Sequence, residues 1–196
     1  MTSRIAIYSS ILSFAIAGGA AADMAKDKAD KAVTKPAAEL TKMADALAGT
    51  WTCTGKSWTP DGTEHEMRGT VKSRLDLDRF WIHDTLELKV ADAQKAAGSM
   101  IPTAFKSESF TTFDIKDREW HRVSVDSIGC HMIGKAEASN DKVLEWKSDS
   151  DGPMGEMSLK EHFDMSDPKI LKVSGQRSMD RGRTWQNDYE ATCKKG

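Results

Sequence analysis

Gly49-Thr50-Trp51-Thr52-Cys53 opens a run of short strand-like segments, and Trp185-Gln186-Asn187-Asp188-Tyr189-Glu190-Ala191-Thr192-Cys193 closes it. A first strand that matches the last predicts a closed β-barrel, because pairing the two ends removes the exposed edges that a flat sheet must protect. Between the two stretches, segments of alternating character recur between turn signals. These fall at Pro60-Asp61-Gly62, Asp117, Asn140-Asp141, Gly152-Pro153, Asp167-Pro168 and Asp180-Arg181-Gly182. The spacing predicts an all-β, antiparallel, up-and-down barrel of about ten strands. Met67, Val71, Leu75 and Leu77 read as one face of the second strand, and Ile82, Leu86 and Leu88 as one face of the third. Only period-two spacing makes those apolar faces continuous. The stretch from Val90 to Ala104, with Gly98 and Pro102, is the longest break and reads as a loop or lid. No internal repeat stands out.

Ahead of the barrel, Arg4 precedes an apolar stretch, Ile5 to Ala17, that ends in small residues and Ala20-Ala21-Ala22 before Asp23. This pattern predicts a secretory signal peptide over residues 1–22, with a signal anchor as the alternative. The apolar run is shorter than the roughly 20 residues needed to span a bilayer, and no later segment is apolar enough to act as an anchor. The expectation is an exported chain, periplasmic or extracellular, with no transmembrane segment. Residues 23–38 read as a flexible leader, since Asp23 to Lys35 is Ala, Lys and Asp almost throughout and has too little apolar surface to order itself. After Pro36, Leu40, Met43, Ala44 and Leu47 fall on one helical face, which predicts a short amphipathic helix capping the barrel and stopping at Gly49. Residues 39–196 are the barrel domain.

The composition suits one soluble domain: 196 residues, 39% hydrophobic and 30% charged, with 28 Lys+Arg against 30 Asp+Glu. A net charge of -2 gives no electrostatic reason to expect nucleic acid or an anionic membrane as partner. Of the three cysteines, Cys53 and Cys193 lie on strands that a closed barrel sets side by side, so they are expected to form a disulfide. Closing so long a loop is worth about 4 to 5 kcal/mol on the chain-entropy account. Cys130 is left over, beside an apolar run, and reads as a small buried hydrophobe rather than a reactive thiol.

Function in a barrel usually lives in the lumen, so polar residues that interrupt inward faces are the candidates. Asp84 breaks the face of Ile82, Leu86 and Leu88, and Glu161 breaks that of Met157, Leu159 and Phe163. Arg177 follows Leu171 and Val173, while Trp185, Asn187 and Tyr189 share a face with Cys193. The candidate ligand-binding residues are therefore Asp84, Glu161, Arg177, Asn187 and Tyr189. A buried carboxylate must be paired, which makes Arg177 with Glu161 the natural internal pair. Two readings remain open: a polar anchor for a ligand, or a structural salt bridge in a filled core. The inward assignment depends on register, and a slip of one residue reverses it.

No metal or cofactor is expected. His65, His83, His121, His131 and His162 form no ligand spacing. Cys130-His131-Met132 resembles a soft copper set, but strand alternation splits it between two faces. A haem site in the lumen would need an inward-facing histidine, and His162 is flanked by Lys160 and Asp164 on an outward face. No catalytic residue is expected either. Gly55-Lys56-Ser57 has Thr50 where a phosphate loop needs glycine, and no Gly-x-Ser-x-Gly elbow occurs. Asp126-Ser127 sits at a predicted turn where both residue types are ordinary.

The order of these signals resembles the family catalogued as domain of unknown function 1579. The pieces that carry the resemblance are the capping helix from Leu40 to Leu47, the Gly49-Thr50-Trp51 opening, Phe113-Asp114 and Trp120 with Asp126-Ser127-Ile128-Gly129. The late turn Asp180-Arg181-Gly182-Arg183-Thr184-Trp185 completes the set. The match covers most of the mature chain. That family is in turn similar to the calycin barrels, including the lipocalins and the haem-binding nitrobindins, whose first strand also begins Gly-x-Trp. The lipocalin Thr-Asp-Tyr signal is absent from its expected place. The resemblance implies a calycin-like barrel and leaves two functions to weigh. One is noncovalent binding of a small apolar or amphipathic molecule. The other is a structural or interaction module of the cell envelope whose lumen is filled, with Trp51, Trp185, Tyr189 and Phe163 as candidates to fill it.

Overall fold

The computed structural model describes residues 35–91, 103–137, 142–153 and 155–196. Among these residues a helix, α1 (Ala38–Leu47), leads into β1 (Gly49–Trp58), β2 (Glu64–Asp76), β3 (Trp81–Val90), β4 (Ala104–Asp114) and β5 (Glu119–Asp126). The chain continues through β6 (His131–Glu137), β7 (Val143–Asp151), β8 (Met157–Asp167), β9 (Ile170–Ser178) and β10 (Gln186–Lys195). Each strand pairs antiparallel with its sequence neighbours and β1 pairs with β10, so the sheet is a closed barrel. The capping helix, the up-and-down order and the closure follow the sequence expectation.

α1 forms where helix-favouring residues place Leu40, Met43 and Ala44 on one buried stripe. It ends at Ala48. The next residue, Gly49, adopts φ +122°, a conformation open to glycine and unfavourable for other residues, and this redirects the chain into β1. The Trp51 indole donates to the Leu47 carbonyl at 2.8 Å and ties the helix end to the first strand. The helix covers the end where β2–β3, β4–β5, β6–β7 and β8–β9 turn. Under it Leu40, Ile82 and Leu144 retain only 1% of their surface, packed with Phe113, Trp120 and Trp146. The opposite end, the mouth, carries the β1–β2, β5–β6, β7–β8 and β9–β10 connections.

Cys53 and Cys193 are register partners across the closing β1–β10 ladder and are joined by a disulfide. Trp51 and Leu171 pack against the bond. Cys130 is free and buried. One expected core residue is corrected: Leu77 does not continue the apolar face of β2. The Asp76 carboxylate accepts the Leu77 N–H at 2.8 Å, and Leu77, Asp78 and Arg79 then take positive φ in a tight turn. The turn leaves Leu77 58% exposed. The loop or lid read between Val90 and Ala104 falls largely on residues 92–102, outside the described residues.

The disulfide spans 140 residues of sequence, so Cys53→Ser is expected to cost about 4 to 5 kcal/mol and to lower Tm by roughly 10–20 °C. Thiol labelling of the denatured, unreduced protein should then count Cys130 alone in the wild type and Cys130 with Cys193 in the variant. Three reactive thiols in the wild type would refute the bond.

Candidate functional site

The polar centre of the lumen is built on Glu161 of β8. Its register neighbour on β9 is Gly175, and the neighbour of Gly175 on β10 is Tyr189. With no side chain at Gly175, the Tyr189 ring lies across that strand; a Cβ there would stand 2.4 Å from Tyr189 Cε1. The phenol donates to Glu161 Oε1 at 2.5 Å. From the other side, Arg122 of β5 donates through Nη2 to Glu161 Oε2. Arg122 faces Gly134 on β6, and its guanidinium lies over the Trp146 ring at 4.4 Å and near Phe163 at 5.5 Å. Glu161 and Arg122 keep only 8% and 7% of their surface, and each ion is the other's compensation for lost hydration. Burial first, and then the Glu161 charge, hold the Tyr189 hydroxyl well above its usual range, so it acts as a donor.

A second pair stands closer to the mouth. Between β9 and β10, Asn187 pairs with Gln176 and Tyr189 with Gly175, which leaves Asp188 as an extra residue in a bulge. The bulge turns both Asp188 and Tyr189 inward, where Arg177 Nη1 donates to Asp188 Oδ1. This corrects the expected Arg177–Glu161 pair. Arg177 sits in register with Leu159, two residues from Glu161, and Asp188 is the carboxylate brought to it. Burial pushes the Asp188 carboxyl above its usual value, against the pull of Arg177.

Asp84 is held on β3 by Ser73 and Ser109 hydroxyls from the strands on either side, the latter at 3.4 Å. Burial raises its carboxyl, with Ser73, Arg122 and Ser109 acting in the opposite direction. Of the five candidates, the structure thus gathers Glu161 and Tyr189 with Arg122, places Arg177 with Asp188, and sets Asp84 apart. Asn187 is exposed. It lines a cleft of about 430 Å³ at the mouth with Trp58, Thr59, Pro60, Asp61, Gly62 and Gln186.

Arg122 escaped the sequence reading because Val123 and Val125 invite the opposite assignment of β5. Those valines, with Ile133 of β6, stay exposed on the outer face. The available signal was parity: Trp120 and Arg122 share a face, as do Gly134 and Ala136 of the partner strand. Trp185 is also corrected as a lumen filler. Its indole donates to the Gly182 carbonyl at 3.1 Å, and its ring lies 4.0 Å from Lys160 Nζ, on the outward side of β8.

The two halves of the lumen differ. The helix half is closed. Towards the mouth, inward side chains at Asp84, Leu86, Leu88, Ser109, Ser124 and Met132 are only partly buried although strands surround them. Several buried donors also have no partner among the described residues: Arg122 Nε, Trp146 Nε1, and Nε and Nη2 of Arg177.

The remaining motifs serve the backbone. Asp126 accepts the Ile128 and Cys130 N–H groups at 3.0 and 2.9 Å, and Ser127 Oγ accepts the Lys106 N–H. Burial and Asp126 push the Cys130 thiol up, which disfavours the thiolate. Lys56 and Ser57 lie within β1. His121 faces Lys135 and His131 faces Val125, so the two histidines do not meet. Among the described residues no group of three or more His, Cys, Asp or Glu side chains is placed to hold a metal ion. Among the same residues no helix is long and apolar enough to cross a membrane.

These features define a closed ten-stranded antiparallel β-barrel protein, capped by a helix at one end and with an arginine–glutamate pair in its lumen. The chain belongs to the family described as protein of unknown function (DUF1579), whose model matches residues 36–195. Among solved structures it is similar to Rv2717c from M. tuberculosis, with 14% identity over 83% of this chain and 99% of that one, at a TM-score of 0.59. It is also similar to the S-type phycobiliprotein lyase CPES from Guillardia theta, with 10% identity over 82% and 98% of the two chains, at a TM-score of 0.52. At these identities the likeness lies in the fold. No curated protein matches the chain.

Two outcomes follow from the lumen geometry. Because the folded state keeps the Asp84 proton to a higher pH than the unfolded chain, Asp84 weakens the fold as pH rises above about 3.8 and through the raised folded value. Asp84→Asn should therefore raise Tm at pH 7 and leave it unchanged at pH 3. A fall at pH 7 would mean that the ionised form is the one stabilised. Gly175→Ala should cost about 1–3 kcal/mol by driving the Tyr189 ring off Glu161. Adding Tyr189→Leu should recover part of that loss in a denaturant titration, whereas additive losses would detach the glycine from the ring.

Proposed function

We propose that the protein is exported and binds a small apolar or amphipathic molecule noncovalently in the mouth half of its barrel. The observation that carries this reading is the partial exposure of inward-facing Leu86 and Leu88 above a closed helix half. A filled core leaves no such surface on side chains that point away from bulk solvent. Leu86, Leu88 and Met132 offer an apolar wall, and Asp84, Ser109, Ser124 and Asp188 offer polar contacts on the same cavity face. Small-molecule sites combine these elements, with apolar area supplying affinity and a few polar groups fixing orientation. The mouth cleft at Trp58–Gly62 and Gln186–Asn187 is the natural entry. Export is supported by the Cys53–Cys193 bond, which belongs to an oxidising compartment, and by the signal-like N-terminal sequence.

A second reading has its own observation. The Arg122–Glu161–Tyr189 cluster satisfies both Glu161 oxygens without any ligand, as a structural core element would. On that reading the barrel is a filled module of the cell envelope.

Native mass spectrometry of protein purified from its exported fraction separates the two. A reproducible extra mass that is lost on denaturation is expected. Leu86→Trp should abolish that mass while shifting Tm by only a few degrees, since the added ring enters existing space. A bare polypeptide mass, together with a cost of about 1–3 kcal/mol from overpacking at Leu86→Trp, would favour the filled module.

A further inference from the structure

Arg177 carries more hydrogen-bonding capacity than the protein uses. Its guanidinium is 8% exposed, and Nη1 is taken by Asp188. The other edge, Nε with Nη2, has no partner on either nitrogen among the described residues. Those two atoms are not an arbitrary pair. They form one side of the planar guanidinium, where two parallel N–H bonds point the same way and match the spacing of the two oxygens of a carboxylate. Leaving two donors of a buried cation unpaired is costly, and an acceptor that meets both together removes that cost in one step. A carboxylate gives each N–H its own charged oxygen, whereas water or a hydroxyl must take both on one neutral oxygen.

The position of this edge favours an external acceptor. Arg177 is the register partner of Gln186, which lines the mouth cleft beside Trp58 and Pro60. Among the described residues, the carboxylates within the barrel are engaged elsewhere: Glu161 by Arg122 and Tyr189, Asp84 by Ser73 and Ser109, and Asp188 on the opposite side of the same guanidinium. We infer that the ligand of the mouth half is an organic carboxylate whose head is gripped by the Nε–Nη2 edge of Arg177 and whose apolar part lies against the Leu86 and Leu88 wall. The inference rests on the small-ligand reading above and adds the chemical class. Both nitrogens lie below the surface, so the head group reaches them by displacing side chains. The position of Asp188 on Nη1 leaves the bidentate edge unpaired.

The test is a calorimetric titration of the wild-type protein with decanoate, decanol and decylammonium, three probes with one tail and different heads. Neutral Nile red reports on the apolar wall alone. Decanoate is expected to bind roughly ten- to a hundred-fold more tightly than decanol, the effect of a charge-assisted pair of hydrogen bonds. Arg177→Lys keeps the charge and removes the planar fork. It should erase most of that preference while leaving the decanol affinity in place. Equal affinity for decanoate and decanol would overturn the carboxylate assignment and leave the small-ligand reading standing. A preference for decylammonium would do the same and move the polar contact to Asp84 or Asp188. Failure to bind all three probes and Nile red would overturn both readings. The head-group order in the wild type is decisive even if Arg177→Lys does not fold.

Discussion

Closure of β1 on β10 is the constraint on which the rest of the structure depends. In an open sheet a strand can slip against one neighbour and leave the other ladder intact. In this ring every strand is held on both sides, and the closing pair is held again by the Cys53–Cys193 bond. A one-residue slip anywhere would turn a whole set of side chains inside out and would have to be repeated around the ring. Which residues face the lumen is therefore a property of the closed barrel, not of any single strand.

Once the inward set is imposed, the charges within it must be settled internally. Glu161 cannot reach water through the wall, and a lone ion in that place would cost several kcal/mol. The solution comes from opposite sides of the barrel, and on one side Tyr189 passes over a residue without a side chain, Gly175. That glycine creates room in the lumen, not a turn in the backbone. Stacking on Trp146 adds a favourable site for the guanidinium, whose weak hydration suits an aromatic face. A buried ion pair is seldom more stabilising than a well-packed apolar substitute, so its presence fits a polar lumen better than a core selected for stability alone.

The barrel is polarised along its axis. At the helix end, aromatic and aliphatic side chains meet α1 and exclude space, and the disulfide and Trp51 brace the seam nearby. Towards the mouth the wall becomes mixed, the inward side chains regain partial exposure, and Arg177 keeps two unused donors. A rigid closed end and a mixed end is the arrangement that supports the proposed binding reading, in which one end holds the shape and the other receives the molecule.

Strand alternation, turn chemistry and the helical stripe at Leu40, Met43 and Ala44 are local properties, and they made the barrel, its closure, its cap and the Cys53–Cys193 pairing legible in the sequence. The same period-two reading marked Asp84, Glu161, Arg177 and Tyr189 as interruptions of inward faces. It failed where local pattern and global geometry part company. Leu77 continues an apolar alternation but is carried out by the turn that Asp76 begins. Val123 and Val125 outweigh Arg122 by composition yet face outward. One extra residue at Asp188 reverses the parity of β10 before Tyr189 and sends Asn187 to the surface. The sequence by itself determined the kind of fold and the seam that closes it, because hydrogen-bonded strands impose a period that can be read residue by residue. Only the tertiary structure decided which charges meet, because Arg122 reaches Glu161 across β6 and β7 and Tyr189 reaches it across β9, distances set by register, bulge and the missing side chain at Gly175, on strands far apart in the chain.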